Sequence, residues 1–378
     1  MNGYENDFGP FDGKIWLNSA SEGAMPRVAV KALEEAVAWK VKPFELTHQR
    51  FQDVPRQLKN SIACLLNVSA GDVILGNSAT YGIHLLAHGI PFKAGDEILL
   101  MQNDFPTDIL PWLALQDRGV VVRQLPSQGP VIQPDELFAA VTAATRLVCL
   151  PHVHTFSGHV VDIETIGRFC RERGIIFVVN FSQSVGCLPL DFEKLPVSAM
   201  TSAGFKWLCG PYGTGFCWMT PQLRESLQYQ QAFWVNVMTA AELASTGELR
   251  LNDDHSSRRF DVFGTANFFN FVPLTASINY LSGIGVAEVH RIISERVEHF
   301  IGGLDKTRYT LLSPQEPAAR SALVVFSHND PRKNPEIFKT LSQQGIYTAF
   351  WKGHVRVAPH IFNTPGDIAK ILAVLRAF

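Results

Sequence analysis

Lys206 lies between Phe205 and Trp207, in the run Gly204-Phe205-Lys206-Trp207 that the segment 199–202 delivers. An amine crowded by aromatic rings and withdrawn from water loses basicity, and the neutral amine attacks carbonyl carbon. A lone lysine is otherwise a solvated charge, so its meaning depends on which groups share its edge of the fold. Asn77-Ser78-Ala79-Thr80 follows an apolar segment and opens a helical pattern. Free backbone N–H groups and the helix dipole at such a point favour a phosphate. Asn103-Asp104-Phe105-Pro106-Thr107-Asp108 supplies a ring and two carboxylates, and further segments deliver His152, His154 and Thr155, then Asn180 and Gln183. His152, His154 and His159 suggest a metal when read alone. No carboxylate or further histidine ligand can be placed beside them, so they read as hydrogen-bonded pocket residues, and no metal is expected.

The elements that must position these groups alternate. Strand patterns cover 72–75, 97–101, 120–125, 146–150, 175–179 and 215–219, and helical patterns cover 28–40, 80–88, 107–118 and 162–173. In the first helix Val30, Leu33 and Val37 form the expected inward face. Alternation of this kind predicts an α/β domain on a largely parallel sheet. It fades after about residue 220. A long helical stretch from Pro273 to about Leu304, strands at 321–327 and 354–357, and helices at 335–345 and 365–378 then predict a smaller α+β domain. The division is placed at 1–265 and 266–378, within a boundary zone of 255–275. Ligands of open α/β sheets bind beyond the carboxyl ends of the strands, where every group named above falls. A phosphate seat, a flat ring, hydrogen-bonding groups and one amine are what a phosphorylated, flat, aldehyde-bearing cofactor requires. Gly210-Pro211-Tyr212-Gly213-Thr214-Gly215 opens no helix, and it reads as turns rather than a dinucleotide loop.

Composition narrows the alternatives. The 378 residues are 46% hydrophobic and 18% charged, enough for a sizeable core, and the formal net charge is −2. Bulk charge therefore gives no reason to expect nucleic acid or an anionic membrane as partner. Six cysteines are scattered without a C-x-x-C pair, which points to a reducing, cytoplasmic setting. The N-terminal residues show no apolar signal core, and no apolar run reaches the roughly 20 residues of a membrane helix.

Taken in order along the chain, five segments resemble the class V aminotransferases, the pyridoxal-5′-phosphate (PLP) family that includes cysteine desulfurases, isopenicillin N epimerases and, more distantly, kynureninases. They are Asn103-Asp104-Phe105-Pro106-Thr107-Asp108; Val178-Val179-Asn180-Phe181-Ser182-Gln183; Gly204-Phe205-Lys206-Trp207-Leu208; Arg259-Phe260-Asp261-Val262-Phe263-Gly264-Thr265; and Val355-Arg356-Val357-Ala358-Pro359-His360. The resemblance spans about residues 15–370. It implies PLP fold type I, a large domain with a seven-stranded, mainly parallel sheet and a small C-terminal domain, in a homodimer. It further implies that Lys206 carries PLP as a Schiff base. Ser78, Ala79 and Thr80 would seat the phosphate, with Ser202 helping and Gly264 and Thr265 reaching across to the partner's cofactor. Phe105 would stack on the ring, Gln183 would bond its phenolic oxygen, and Asp108, Thr155 and Asn180 would complete the cradle. Arg356, with His154, would bind an amino-acid substrate, the guanidinium gripping the carboxylate.

Asn180 departs from the family, which has aspartate there to keep the pyridine nitrogen protonated. Asp108 is a candidate to compensate. Phe205 replaces a histidine, and Thr155 an asparagine. No cysteine follows Cys217, whereas cysteine desulfurases carry their persulfide cysteine in the C-terminal domain. The expected activity is class V transamination of a free amino acid. A PLP lyase (β-elimination or C–S cleavage) is the alternative, and a non-catalytic PLP-binding protein or a His-cluster metallohydrolase stands as a rival from another class.

Overall fold

A computed structural model describes residues 3–228, 232–246, 248–251 and 256–378. Parts of the stretch after about residue 220, where the alternation fades, lie outside the described residues.

Seven strands form the main sheet: β1 (Val73–Gly76), β2 (Glu97–Met101), β3 (Val121–Leu125), β4 (Thr145–Pro151), β5 (Ile176–Asn180), β6 (Ala199–Ala203) and β7 (Gly215–Met219). Their order is β1-β7-β6-β5-β4-β2-β3. All pairs are parallel except those made by β7, which runs antiparallel to both β1 and β6. The reversal is not read from sequence, and it has a consequence. An antiparallel neighbour needs no helical crossover, so β6 joins β7 through the loop 204–214, and that loop carries Lys206. The central strands are near-continuous apolar runs because both faces are covered: Val148, Leu150, Val178 and Val179 have no exposed surface.

A second, four-stranded antiparallel sheet contains β8 (Tyr309–Leu311), β9 (Val324–His328), β10 (Ala349–Trp351) and β11 (His354–Val357) in the order β10-β11-β9-β8. The N-terminal segment joins this C-terminal half: Ile15–Trp16 pairs in parallel with Ile346–Tyr347, and Asn18 bridges to Ala358. Residues just beyond, Ala20 to Gly23, therefore run along the edge that bears Lys206.

Three expectations are corrected. In α1 (Arg27–Val41), Ala29 and Ala36 are the buried residues, while Val30 and Val37 are 38% and 45% exposed. Two alanines seven residues apart lie on one face, and their small side chains let α1 lie against the later helix Phe268–Ile284. That later helix begins at Phe268, keeps Pro273 in its interior, and ends at Gly285 (φ +90°), after which Val286–Gly303 starts afresh. The helix expected at 107–118 is broken into Pro106–Asp108, Leu110–Leu113 and Gln116–Arg118. Pro111 cannot donate the hydrogen bond to residue 107 that a continuous helix would need.

Candidate active site

A cavity of about 360 Å³ opens at the carboxyl ends of β4, β5 and β6. Ser78, Ala79, Thr80, Phe105, Thr155, Asn180, Gln183, Lys206 and Arg356 all line it. Nine residues expected from separate sequence segments thus face one space.

Lys206 Nζ stands 5.4 Å from the centroid of the Phe105 ring. Burial lowers its pKa to about 8, helped by the charge of Arg356 and opposed by Asp108 and Glu22. A substantial neutral fraction therefore exists near neutrality, as a carbonyl-capturing amine needs. Its backbone is held from the N-terminal side. Gly23 N–H donates to the Phe205 carbonyl at 2.8 Å, and a Cβ on Gly23 would come within 1.9 Å of the Lys206 carbonyl oxygen. Only glycine allows that approach.

The helix α2 (Ala79–Gly89) points its N-terminus at the cavity. Ser78 caps it, its Oγ accepting from Tyr81 N–H at 3.2 Å. The Thr80 and Thr107 hydroxyls lie 3.0 Å apart. Close packing fixes this corner, since a Cβ on Gly215 would fall 2.4 Å from the Ser78 carbonyl carbon.

Gln183 is held at both ends. Its Oε1 accepts from Trp207 Nε1 at 2.9 Å, and its Nε2 donates to the Ala20 carbonyl at 2.9 Å and the Thr155 hydroxyl at 3.4 Å. It ties the N-terminal segment to the lysine loop. Asn180 donates from Nδ2 to both oxygens of Asp108, at 2.8 and 3.1 Å, and its Oδ1 accepts from Ser182 N–H. Asp108 lies behind Asn180, fully enclosed; burial raises its pKa, while the hydrogen bond from Asn180 and the charge of Lys206 lower it.

Arg356 is 2% exposed. It donates to Ser21 Oγ at 2.6 Å, and to Asn18 Oδ1 and the Thr155 carbonyl at 3.3 Å each. Among the described residues no carboxylate pairs with it, and its Nε has no partner. Burial lowers its pKa to about 10. An enclosed guanidinium without a counterion is a ready carboxylate receptor.

Other expected residues sit apart from this cavity. Ser202 is buried in β6, its Oγ 3.3 Å from the Ala203 carbonyl. His154 lines a neighbouring cavity with Asn103, Lys352 and His354, its Nδ1 2.8 Å from Ser157 Oγ. His152 meets Ser184 Oγ at 2.7 Å, and burial pushes the pKa of both histidines down to about 4. Thr265 lines a third cavity with Lys59 and Arg258, and its hydroxyl donates to Asn236 Oδ1 or the Val262 carbonyl.

Sequence reasoning misses Glu22, half-buried beside Trp16 and Tyr347, with its pKa raised to about 7 by burial and opposed by Lys206. It also misses Ser21, and it gives the buried Asp104 no role of its own.

An enclosed low-pKa amine, a helix N-terminus, a ring beside the amine and an unpaired guanidinium fit PLP. The arrangement defines a PLP-dependent enzyme of fold type I. The model of the aminotransferase class-V family matches residues 15–366, and the chain belongs to that family. It is 28% identical over 73% of its length to 69% of a Methanothermobacter thermautotrophicus protein described as "Probable cysteine desulfurase". It is 26% identical over 82% of its length to 80% of isopenicillin N epimerase from Streptomyces clavuligerus. Its fold is similar to that of the cystine C–S lyase C-DES in complex with its reaction product cysteine persulfide (TM-score 0.89, 26% identity, 98% of this chain and 99% of that one).

Proposed function

We propose that this protein is a PLP-dependent lyase that cleaves a carbon–sulfur bond in a free α-amino acid of the cysteine or cystine type, rather than the transaminase that sequence alone puts first. PLP, when bound, supplies an electron sink for charge developing at the substrate Cα. Ser78, Ala79 and Thr80 would seat its phosphate, Phe105 would cover the ring, and Asn180, backed by Asp108, would face it.

The observation that carries the reading is the uncompensated Arg356 guanidinium in the same cavity as Lys206. It selects a substrate carboxylate and orients the amino acid toward the amine. Lys206 Nζ, neutral in an appreciable fraction, takes the Cα proton while sulfur leaves Cβ with the bonding pair. Trp351, 44% exposed, stands on the cavity wall. The choice of elimination is supported by the likeness to a cystine C–S lyase and by the cysteines themselves. Among the described residues Cys64 alone is exposed, and no cysteine lines the cavity. A sulfur relay through the chain's own thiol therefore has no placed residue, whereas direct release of the leaving group needs none.

The homodimer belongs to the same reading. Gly264 and Thr265 lie away from the Lys206 cavity, as expected of residues that serve a partner's phosphate. Free thiols, mostly buried, support a cytoplasmic setting.

The test is a panel of amino acids assayed for keto acid, ammonia and reduced sulfur together. Cystine or cysteine should yield keto acid with equimolar ammonia and sulfur, without an added amino acceptor. Keto acid that appears only with an acceptor, and without ammonia, would return the assignment to transamination.

A further inference from the structure

Behind Asn180 lie two carboxylates. Asp104 and Asp108 are both buried, 6% and 2% exposed, and their side chains are within hydrogen-bonding reach of each other. We propose that Asp104 is a neutral carboxylic acid whose proton bridges to Asp108, making Asp104 the positioning residue that fixes a single negative charge beneath Asn180.

The partners of the two groups decide where the proton sits. Both oxygens of Asp108 accept from Asn180 Nδ2, and Asp108 also feels the charge of Lys206. It is the better-supported anion. Asp104 Oδ1 accepts from Phe105 N–H at 2.7 Å, but Asp104 Oδ2 is fully buried with no donor in reach. An ionised oxygen there would be an unsolvated charge beside a second carboxylate. A proton on Asp104, directed at Asp108, converts that orphan into a donor and leaves the pair with one charge.

The other groups facing the pair do not undo this. Lys352, from the turn between β10 and β11, acts on Asp104 only through space; its own amine donates to the Asn103 carbonyl at 2.9 Å. Cys149, on β4, is a buried thiol whose pKa is driven well up by burial and by these carboxylates, so it stays neutral. Burial and the charge of Asp108 likewise raise Asp104 well above the carboxylate range. The order Asn180–Asp108–Asp104 thus places a neutral donor on each side of one anion. The aspartate expected at 180 has its charge moved one residue back and held there by Asp104. None of this depends on whether the reaction is elimination or transamination.

Isotope-edited infrared spectroscopy of the apoenzyme, with carboxyl-labelled aspartate, tests the proposal without turnover. At neutral pH the wild type should show a protonated aspartic acid carbonyl band that Asp104→Asn removes. Asp104→Asn keeps a neutral donor, so in the holoenzyme it should hold the visible cofactor spectrum closer to wild type than Asp104→Ala does. A wild-type spectrum with no protonated aspartate, or a band that survives in Asp104→Asn, would overturn it; the first result needs no variant to fold.

Discussion

The amide of Asn180 spends its donor on Asp108, reaching both carboxylate oxygens at 2.8 and 3.1 Å. In the proposed cofactor seat the anion would be Asp108, with Asn180 as the cavity-facing link.

Two substitutions separate these roles. Asp108→Asn removes the anion, and at about one pKa unit lost from the ring nitrogen the rate should fall roughly tenfold or more. Asn180→Asp adds a carboxylate beside Asp108, where like charges disfavour each other, and it should impair rather than improve turnover. Steady-state kcat for both variants checks this; an Asn180→Asp enzyme faster than wild type, with Asp108→Asn unaffected, would contradict it.

Arg356 should trade stability for binding. Arg356→Leu should weaken carboxylate-bearing substrates by about 2–5 kcal/mol, read as a loss in kcat/KM. Among the described residues the buried cation has no counterion, so its removal should leave the apoenzyme Tm unchanged or raise it. A steep fall in Tm with unchanged KM would make Arg356 a structural residue.

The pH dependence of Lys206 has a definite sign. Its pKa in the folded chain is about 8, against 10.5 for an ordinary lysine. Between those values the unfolded chain binds the extra proton, so apoenzyme stability should rise with pH across that window. Lys206→Met should flatten this slope. Capture of added PLP by the apoenzyme should rise with pH, reach half of its maximum near pH 8 and level off roughly one unit higher, where the amine is almost wholly neutral. A plateau delayed to the ordinary lysine range would show that burial does not depress the amine.

Gly23→Ala tests the clasp on the lysine loop. The added methyl meets the Lys206 carbonyl oxygen, and overpacking of this kind costs about 1–3 kcal/mol. Both Tm and PLP uptake should fall; unchanged values would mean that the N-terminal segment does not set the loop.

Much of this site is legible in the sequence, for a physical reason. Thr80, Asn180 and Lys206 each follow a short apolar strand, and an open sheet brings its strand ends to one edge. Glu22 and Ser21 are not legible, because the segment that carries them reaches the site only through long-range pairing with Ile346–Tyr347 and Ala358. Asp104 is visible as a loop residue, but its role depends on burial against Asp108, which spacing does not reveal. The valines of α1 mislead in the other direction: their period is helical, yet the close helix contact is made by Ala29 and Ala36.

The proposed chemistry turns on the amine of Lys206. Borohydride reduction of the holoenzyme should fix PLP covalently to the lysine that carries it. Peptide mapping should then find the label on Lys206 alone, and Lys206→Ala should fold but neither take the label nor show the visible absorbance of lysine-bound cofactor. A label on any other lysine, or an unchanged spectrum in Lys206→Ala, would contradict the assignment.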